Sequence, residues 1–195
     1  CGNARFTVLT PEMIRIEYSE KGMFEDRPTF TVVNRNLELV DFKKKEDDRF
    51  LYIQTDKVKL KYRKGTNPKT SPASPENLTI TIENHGCETL WYPGKKDPLN
   101  LKGTCRTLDG SNGDNKRSEL ENGLISRSGW AVIDDSWEAT RADGSHSFAL
   151  EPNPEVGYDW WAYRNDPQAI DLYFMGYGNE YKKAIGDFTK IAGKI

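Results

Sequence analysis

The chain is short of several things, and each shortage closes a class of function. Of its 195 residues only two are histidine (His85, His146) and three are cysteine (Cys1, Cys87, Cys105). Neither histidine lies in a ligand-like pattern, and no Ser-His-Asp or Cys-His constellation follows from the spacing. The odd cysteine count matches no zinc knuckle and no C-x-x-C pair, so no metal site is expected. A Cys87–Cys105 disulfide stays open, with free thiols the expected state. A basic excess is also missing. The 28 Lys and Arg stand against 30 Asp and Glu, a net charge of -2. Nothing there neutralises a phosphate backbone, which argues against nucleic acid as a partner. There is no GxxxxGK[ST] phosphate loop, and no cofactor is expected. No apolar run approaches the roughly 20 residues a membrane-spanning helix needs. No signal peptide opens the chain, although one removed before residue 1 would leave no trace. Cys1-Gly2 has the form of a lipid-bearing lipoprotein terminus, but a flexible tether should then follow, and here a strand begins at once.

What is present is mostly β-patterning. Residues 4–9 and 13–18 alternate apolar and polar side chains across a Thr10-Pro11 break. Residues 30–33 predict a third short strand. Residues 37–43 and 49–55 predict strands flanking a charged tip, Lys44-Lys45-Glu46-Asp47-Asp48. In 58–62, Val58, Leu60 and Tyr62 face one way, and Lys57, Lys59 and Lys61 the other. Residues 64–77 read as a surface loop rich in Pro, Ser and Thr. Residues 78–83, Leu-Thr-Ile-Thr-Ile-Glu, should pair with the strand at 58 as a long-tipped hairpin. Residues 99–115 read as irregular, and 129–134, 147–150 and 169–175 as strands. Half-buried alternation of this kind predicts an all-β antiparallel sandwich of two large sheets.

Only the end of the chain has helical spacing. Across 179–195, Tyr181, Ala184, Ile185, Phe188 and Ile191 make one apolar face, and Gly193 sits where a C-cap glycine belongs. The expectation is a connector into a further domain.

Four segments carry chemistry-bearing residues. Residues 24–29 and 33–35 alternate acidic and basic side chains and read as a solvated loop with weak ion pairs. Residues 101–114 hold three glycines with Asp109, Asn112 and Asp114, groups suited to sugar hydroxyls, although an ordinary turn-rich connection fits equally. Asp134 and Asp135 are adjacent on a strand, so their carboxylates point to opposite faces and do not converge. Tyr158, Trp160, Trp161 and Tyr163 suit a sugar-stacking platform or, more simply, a buried aromatic plug.

Taken together, the segments resemble the N-terminal domain of glycoside hydrolase family 31, the α-glucosidase and α-xylosidase family. The carrying residues are Ala4-Arg5-Phe6-Thr7-Val8-Leu9-Thr10-Pro11 with Ile14-Arg15-Ile16-Glu17-Tyr18, and Phe24-Glu25-Asp26-Arg27-Pro28 with Val33-Asn34-Arg35. Asn77-Leu78-Thr79-Ile80 follows, then Asn100-Leu101-Lys102-Gly103-Thr104 with Arg106-Thr107-Leu108-Asp109-Gly110. Gly123-Leu124-Ile125-Ser126-Arg127-Ser128-Gly129-Trp130 and Asp171-Leu172-Tyr173-Phe174-Met175-Gly176-Tyr177-Gly178 complete the set, the latter running into Tyr181-Lys182-Lys183-Ala184. The ordered set spans nearly the whole chain.

The resemblance implies a galactose-mutarotase-like β-sandwich over 1–178 and a helical connector over 179–195 into a (β/α)8 barrel. In that family the barrel carries the two aspartates of a retaining mechanism. The implied activity is therefore α-glucosidase-like hydrolysis by the longer protein, with no catalytic residue in this stretch. Asp134 and Asp135 do not match the family's catalytic motifs. A loop of the N-terminal domain reaches the barrel mouth in the family. The best match is 106–114, with Asp109, Asn112 and Asp114 as the substrate-binding candidates. The implied partners are an α-linked oligosaccharide or glycoside and the chain's own barrel, in a periplasmic or secreted bacterial setting. Two other readings compete. A free-standing carbohydrate-binding sandwich would expose Trp160, Trp161 and Tyr163. An aldose epimerase needs a histidine acid and a carboxylate base, and neither histidine sits in a matching motif.

Overall fold

Period-two patterning becomes two antiparallel sheets. The computed structural model describes residues 1–29, 31–69, 75–84, 86–103, 120–136 and 168–193. Among them the strands are β1 (Ala4–Thr10), β2 (Met13–Tyr18), β3 (Lys43–Glu46), β4 (Phe50–Gln54), β5 (Val58–Arg63), β6 (Leu78–Asn84), β7 (Cys87–Trp91), β8 (Ala131–Asp134) and β9 (Ile170–Met175). The helix α1 spans Tyr181–Ala192. One sheet has the order β1-β2-β9-β8 and the other β3-β4-β5-β6-β7. The predicted hairpin of the strands at 58 and 78 forms, with Val58 opposite Ile82 and Tyr62 opposite Leu78.

The sheets face each other across one apolar cluster. Ile14, Ile16, Leu172 and Phe174 from the first sheet meet Leu51, Leu60, Ile80 and Trp91 from the second. Phe6 lies 4.9 Å from Tyr62, ring centre to ring centre, and Trp91 lies 4.9 Å from Phe174. Removing this apolar area from water is the main force holding the two layers together.

Three expectations change. The strand expected in 30–33 does not form among its described residues. The backbone N–H groups of Val33 and Asn34 instead donate to the Ile191 carbonyl at 2.9 Å, and Asn34 Nδ2 donates to Lys190 O at 3.1 Å. A helix end leaves carbonyls without partners, and this segment supplies the missing donors. Val32 is fully buried between α1 and the sheet, which explains its apolar character. The strand expected at 37–43 begins only at Lys43, and most of the charged tip becomes β3 itself. Asp47 sets that register: its Oδ1 accepts from the N–H groups of Arg49 at 2.8 Å and Phe50 at 2.7 Å. The lysines then fall on an edge strand, where charge discourages pairing with another chain. Finally, β7 was not anticipated.

Half-burial holds for β5, which alternates buried and exposed, but β2 and β9 are buried on both faces. Their outer side carries charge. Arg15 is 2 % exposed and makes a two-pronged contact with Asp171, Nε to Oδ1 at 2.9 Å and Nη2 to Oδ2 at 2.7 Å. Arg15 also donates to the Glu25 carbonyl at 2.6 Å. Glu17 lies between Arg5 and Arg15, at 2.6 and 3.0 Å. Burial pushes the Glu17 carboxyl above its ordinary range despite both arginines. The segment 24–35 covers this network, so it is not the solvated loop expected: Glu25 and Thr29 are buried, and Arg35 reaches Tyr173 at 2.7 Å.

The helix lies on the same outer face. Ala184 and Ile191 are buried against Leu9, Met13, Tyr173 and Met175. Asp187 is buried too, bonded to Tyr177 Oη at 2.9 Å and Lys190 Nζ at 2.6 Å. Much of the apolar stripe is thus covered by the chain's own sheet, while Ile185 stays 45 % exposed. Gly193 closes the helix at φ 86°, a left-handed backbone that suits glycine.

Candidate functional site

A cavity opens beside β7 and β8. It has a volume of about 530 Å³ and is walled by Trp91, Trp130, Leu172 and the loop that follows β7. Trp91 comes from the end of β7, and Trp130 immediately precedes β8. Their rings lie 6.4 Å apart and 57° from parallel, and Phe174 backs Trp91. Both indoles are nearly buried, so neither offers an open stacking face. The Trp130 Nε1 atom is buried without a hydrogen-bond partner among the described residues. An indole nitrogen can only donate, so this donor is unused.

A polar frame forms the rim. Backbone residues 99–103 run antiparallel to 121–127. Leu101 N donates to Ile125 O at 3.1 Å, Gly103 N to Glu121 O at 2.8 Å, and Arg127 N to Leu99 O at 3.1 Å. Asn100 ties the two stems together. Its Oδ1 accepts from the N–H groups of Lys102 and Gly123, each at 2.8 Å. Its Nδ2 donates to Gly123 O at 3.2 Å and Asp97 Oδ2 at 3.0 Å. The other Asp97 oxygen accepts from Ser126 Oγ at 2.9 Å. The stems approach so closely that a Cβ on Gly123 would lie 2.4 Å from the Lys102 carbonyl oxygen. Lys102 itself takes φ 68°, a left-handed backbone that costs energy outside glycine.

The rim is cationic. Lys69, Lys95, Lys96 and Lys102 face only Asp97 and Asp134 among its charged residues, an excess of two positive charges in a chain whose net charge is -2. Lys69 pairs with Asp134. Burial works against ionisation of Asp134, but the bonds from Lys69 and Ser136 outweigh it and hold the carboxyl below its ordinary range. Lys95 Nζ donates to the Leu90 carbonyl, and Lys102 Nζ to Asn122 Oδ1 at 2.9 Å. Both acceptors are neutral.

The substrate-binding candidates Asp109, Asn112 and Asp114 lie outside the described residues, as do Trp160, Trp161, Tyr163, His85, His146 and Cys105. Cys1 and Cys87 are free and exposed. Asp134 and Asp135 diverge as read from the strand period. Asp134 joins Lys69 at the cavity, whereas Asp135 is buried on the outer face against Thr29 Oγ1 at 2.6 Å. Sequence reasoning passed over Asp97, Lys95, Lys96 and Trp91. The run Lys-Lys-Asp-Pro, with a turn-forming Asp before proline, was the one local signal available.

Among the described residues no group of three or more His, Cys, Asp or Glu could hold a metal ion, and no helix is long and apolar enough to cross a membrane. No family model matches the chain, and no curated protein matches its sequence.

Proposed function

We propose that the chain is the non-catalytic N-terminal domain of a family 31-like α-glycosidase, with a galactose-mutarotase-like sandwich that supports a barrel and lends it a pocket loop. In this reading the longer protein hydrolyses α-glucosides by a retaining mechanism. α1 continues toward the barrel, and Asp109, Asn112 and Asp114 contact substrate hydroxyls.

The observation that carries the reading is the clamped pair of stems. Segment 104–119, which holds the three candidates, begins and ends at backbone locked by Asn100 and by the ladder from 99–103 to 121–127. A loop that must place hydroxyl-binding groups needs a rigid base of this kind. The two facing antiparallel sheets and the partly exposed Ile185 on α1 are in keeping with the same reading.

The test is hydrolysis of aryl α-glucosides by the 195-residue chain and by the chain extended past Ile195. Activity in the extended protein alone, lowered by Asp109→Ala or Asp114→Ala, is the expected result. Activity in the 195 residues themselves would refute it. The cavity favours a second reading, a free-standing carbohydrate-binding sandwich, which requires sugar binding by the chain alone.

A further inference from the structure

The cavity beside Trp130 combines two features that the supporting-domain role leaves unused. The first is an unsatisfied donor. Trp130 is 6 % exposed, lines the cavity, and keeps Nε1 buried with no acceptor among the described residues. Buried polar groups in folded proteins are almost always paired, so a lone indole N–H in a cavity wall is an open position for a ligand oxygen. The second is uncompensated charge. Among the described residues, Lys69 alone of the four rim lysines is paired with a carboxylate; Lys95 and Lys102 rest on neutral oxygens, and Lys96 makes no hydrogen bond or ion pair. The nearby Asp97 does not offset them through contact, because its two oxygens are taken by Asn100 and Ser126.

These features select among ligands. A neutral apolar molecule would leave the ammonium groups without a counter-charge. A bare inorganic anion would leave much of a volume of about 530 Å³ empty, and that size lies within the roughly 300–1,000 Å³ typical of small organic ligands. A pyranose bearing an acid group meets both demands: ring and hydroxyls toward the tryptophan wall, anionic oxygens toward the rim. We propose that this cavity binds an acidic sugar residue, with Trp130 Nε1 donating to a ring substituent and Lys95, Lys96 and Lys102 receiving its carboxylate or sulfate. The sugar part rests on the α-glycosidase reading; the anionic part rests on the lysines and stands apart from it.

The test is titration calorimetry on the 195-residue chain with methyl α-glucuronide, methyl α-glucoside, glucose 6-sulfate and inorganic sulfate. The glucuronide is expected to bind at least about tenfold more tightly than the glucoside, as one charge-assisted hydrogen bond to a lysine allows. Its affinity should fall as salt rises. The variant Lys96→Gln/Lys102→Gln should weaken the glucuronide about tenfold and leave the glucoside unchanged. Trp130→Phe, checked for folding by its thermal melt, should weaken both sugars. Tighter binding of glucose 6-sulfate than of the glucuronide would assign the acid as sulfate and support the site.

Equal affinity for glucuronide and glucoside, unaffected by the lysine change, would overturn the anionic inference and leave the α-glycosidase reading to its own activity assay. Inorganic sulfate binding as tightly as either acidic sugar would overturn the sugar part. No binding of any probe would overturn the site.

Discussion

Asp171 gives the sharpest test of how the outer face of the first sheet is held. Asp171 is fully buried and Arg15 is 2 % exposed, and they meet through two hydrogen bonds at 2.9 and 2.7 Å. Asp171→Asn keeps the shape and removes the charge, so it opens no cavity. Arg15 then keeps only Glu17, which it shares with Arg5, and the exposed Asp26 as carboxylate neighbours, in a site closed to water. Breaking a buried pair on one side costs about 3–5 kcal/mol, because the remaining ion loses its two-pronged partner without regaining water. The built-in comparison is Asp26→Asn. Asp26 touches the same network through Arg5 at 2.5 Å, but its side chain is 72 % exposed. An exposed pair contributes about 0–1 kcal/mol. The assay is urea unfolding followed by tryptophan fluorescence. With a slope of about 2 kcal/mol per molar, Asp171→Asn should lower the midpoint by roughly 2 M, and Asp26→Asn by less than roughly 0.5 M. Replacing both partners, Arg15→Met with Asp171→Leu, should recover most of the loss, since no unpaired ion remains. Equal shifts for Asp171→Asn and Asp26→Asn would refute the reasoning, for burial would then have no say in the energy.

Other outcomes follow from single positions. Asn100→Ala removes the Oδ1 that accepts from two backbone N–H groups and the Nδ2 that donates to two oxygens, and should lower stability by about 2–4 kcal/mol, with faster hydrogen exchange at the Lys102 and Gly123 amides. Gly123→Ala forces a Cβ against a backbone oxygen and should cost about 1–3 kcal/mol in a thermal melt. Gly186→Ala should instead stabilise by about 0.5–1 kcal/mol, because it lies within α1 with no atom in the way. Glu46 bonds to Lys44 and Lys64, which hold its carboxyl at about 2, against 4.5 when free. A lowered carboxylate pKa adds stability above pH 4.5 that is lost as the pH falls through about 2, so the difference in melting temperature between wild type and Glu46→Gln should vanish in that acid window.

How far the fold was legible follows from how local each signal is. The alternation Val58, Leu60, Tyr62 against Lys57, Lys59, Lys61 is a property of six consecutive residues, and β5 obeys it. The hairpin with β6 needs only that strand and its neighbour. By contrast, residues 30–33 have strand-like composition, yet Val32 N donates to Thr29 Oγ1, and Val33 N, with Asn34 beside it, donates to the end of a helix more than 150 positions along the chain. Composition at 30–33 holds no trace of that distant partner.

The candidate site divides in the same way. The sequence alone determined which groups the glycine-rich segment offers, Asp109, Asn112 and Asp114, and that the terminal stretch has helical spacing. It also determined that Asp134 and Asp135 face apart, because that follows from strand period. The tertiary structure decided everything that depends on which distant residues meet. It placed Arg15 against Asp171, 156 positions away, and turned apparently exposed charges into a buried network. It brought Lys69, Lys95, Lys96 and Lys102 around one opening and left Trp130 Nε1 there without a partner among the described residues. Burial and long-range pairing set the worth of a charge, and neither is written in the order of residues near it.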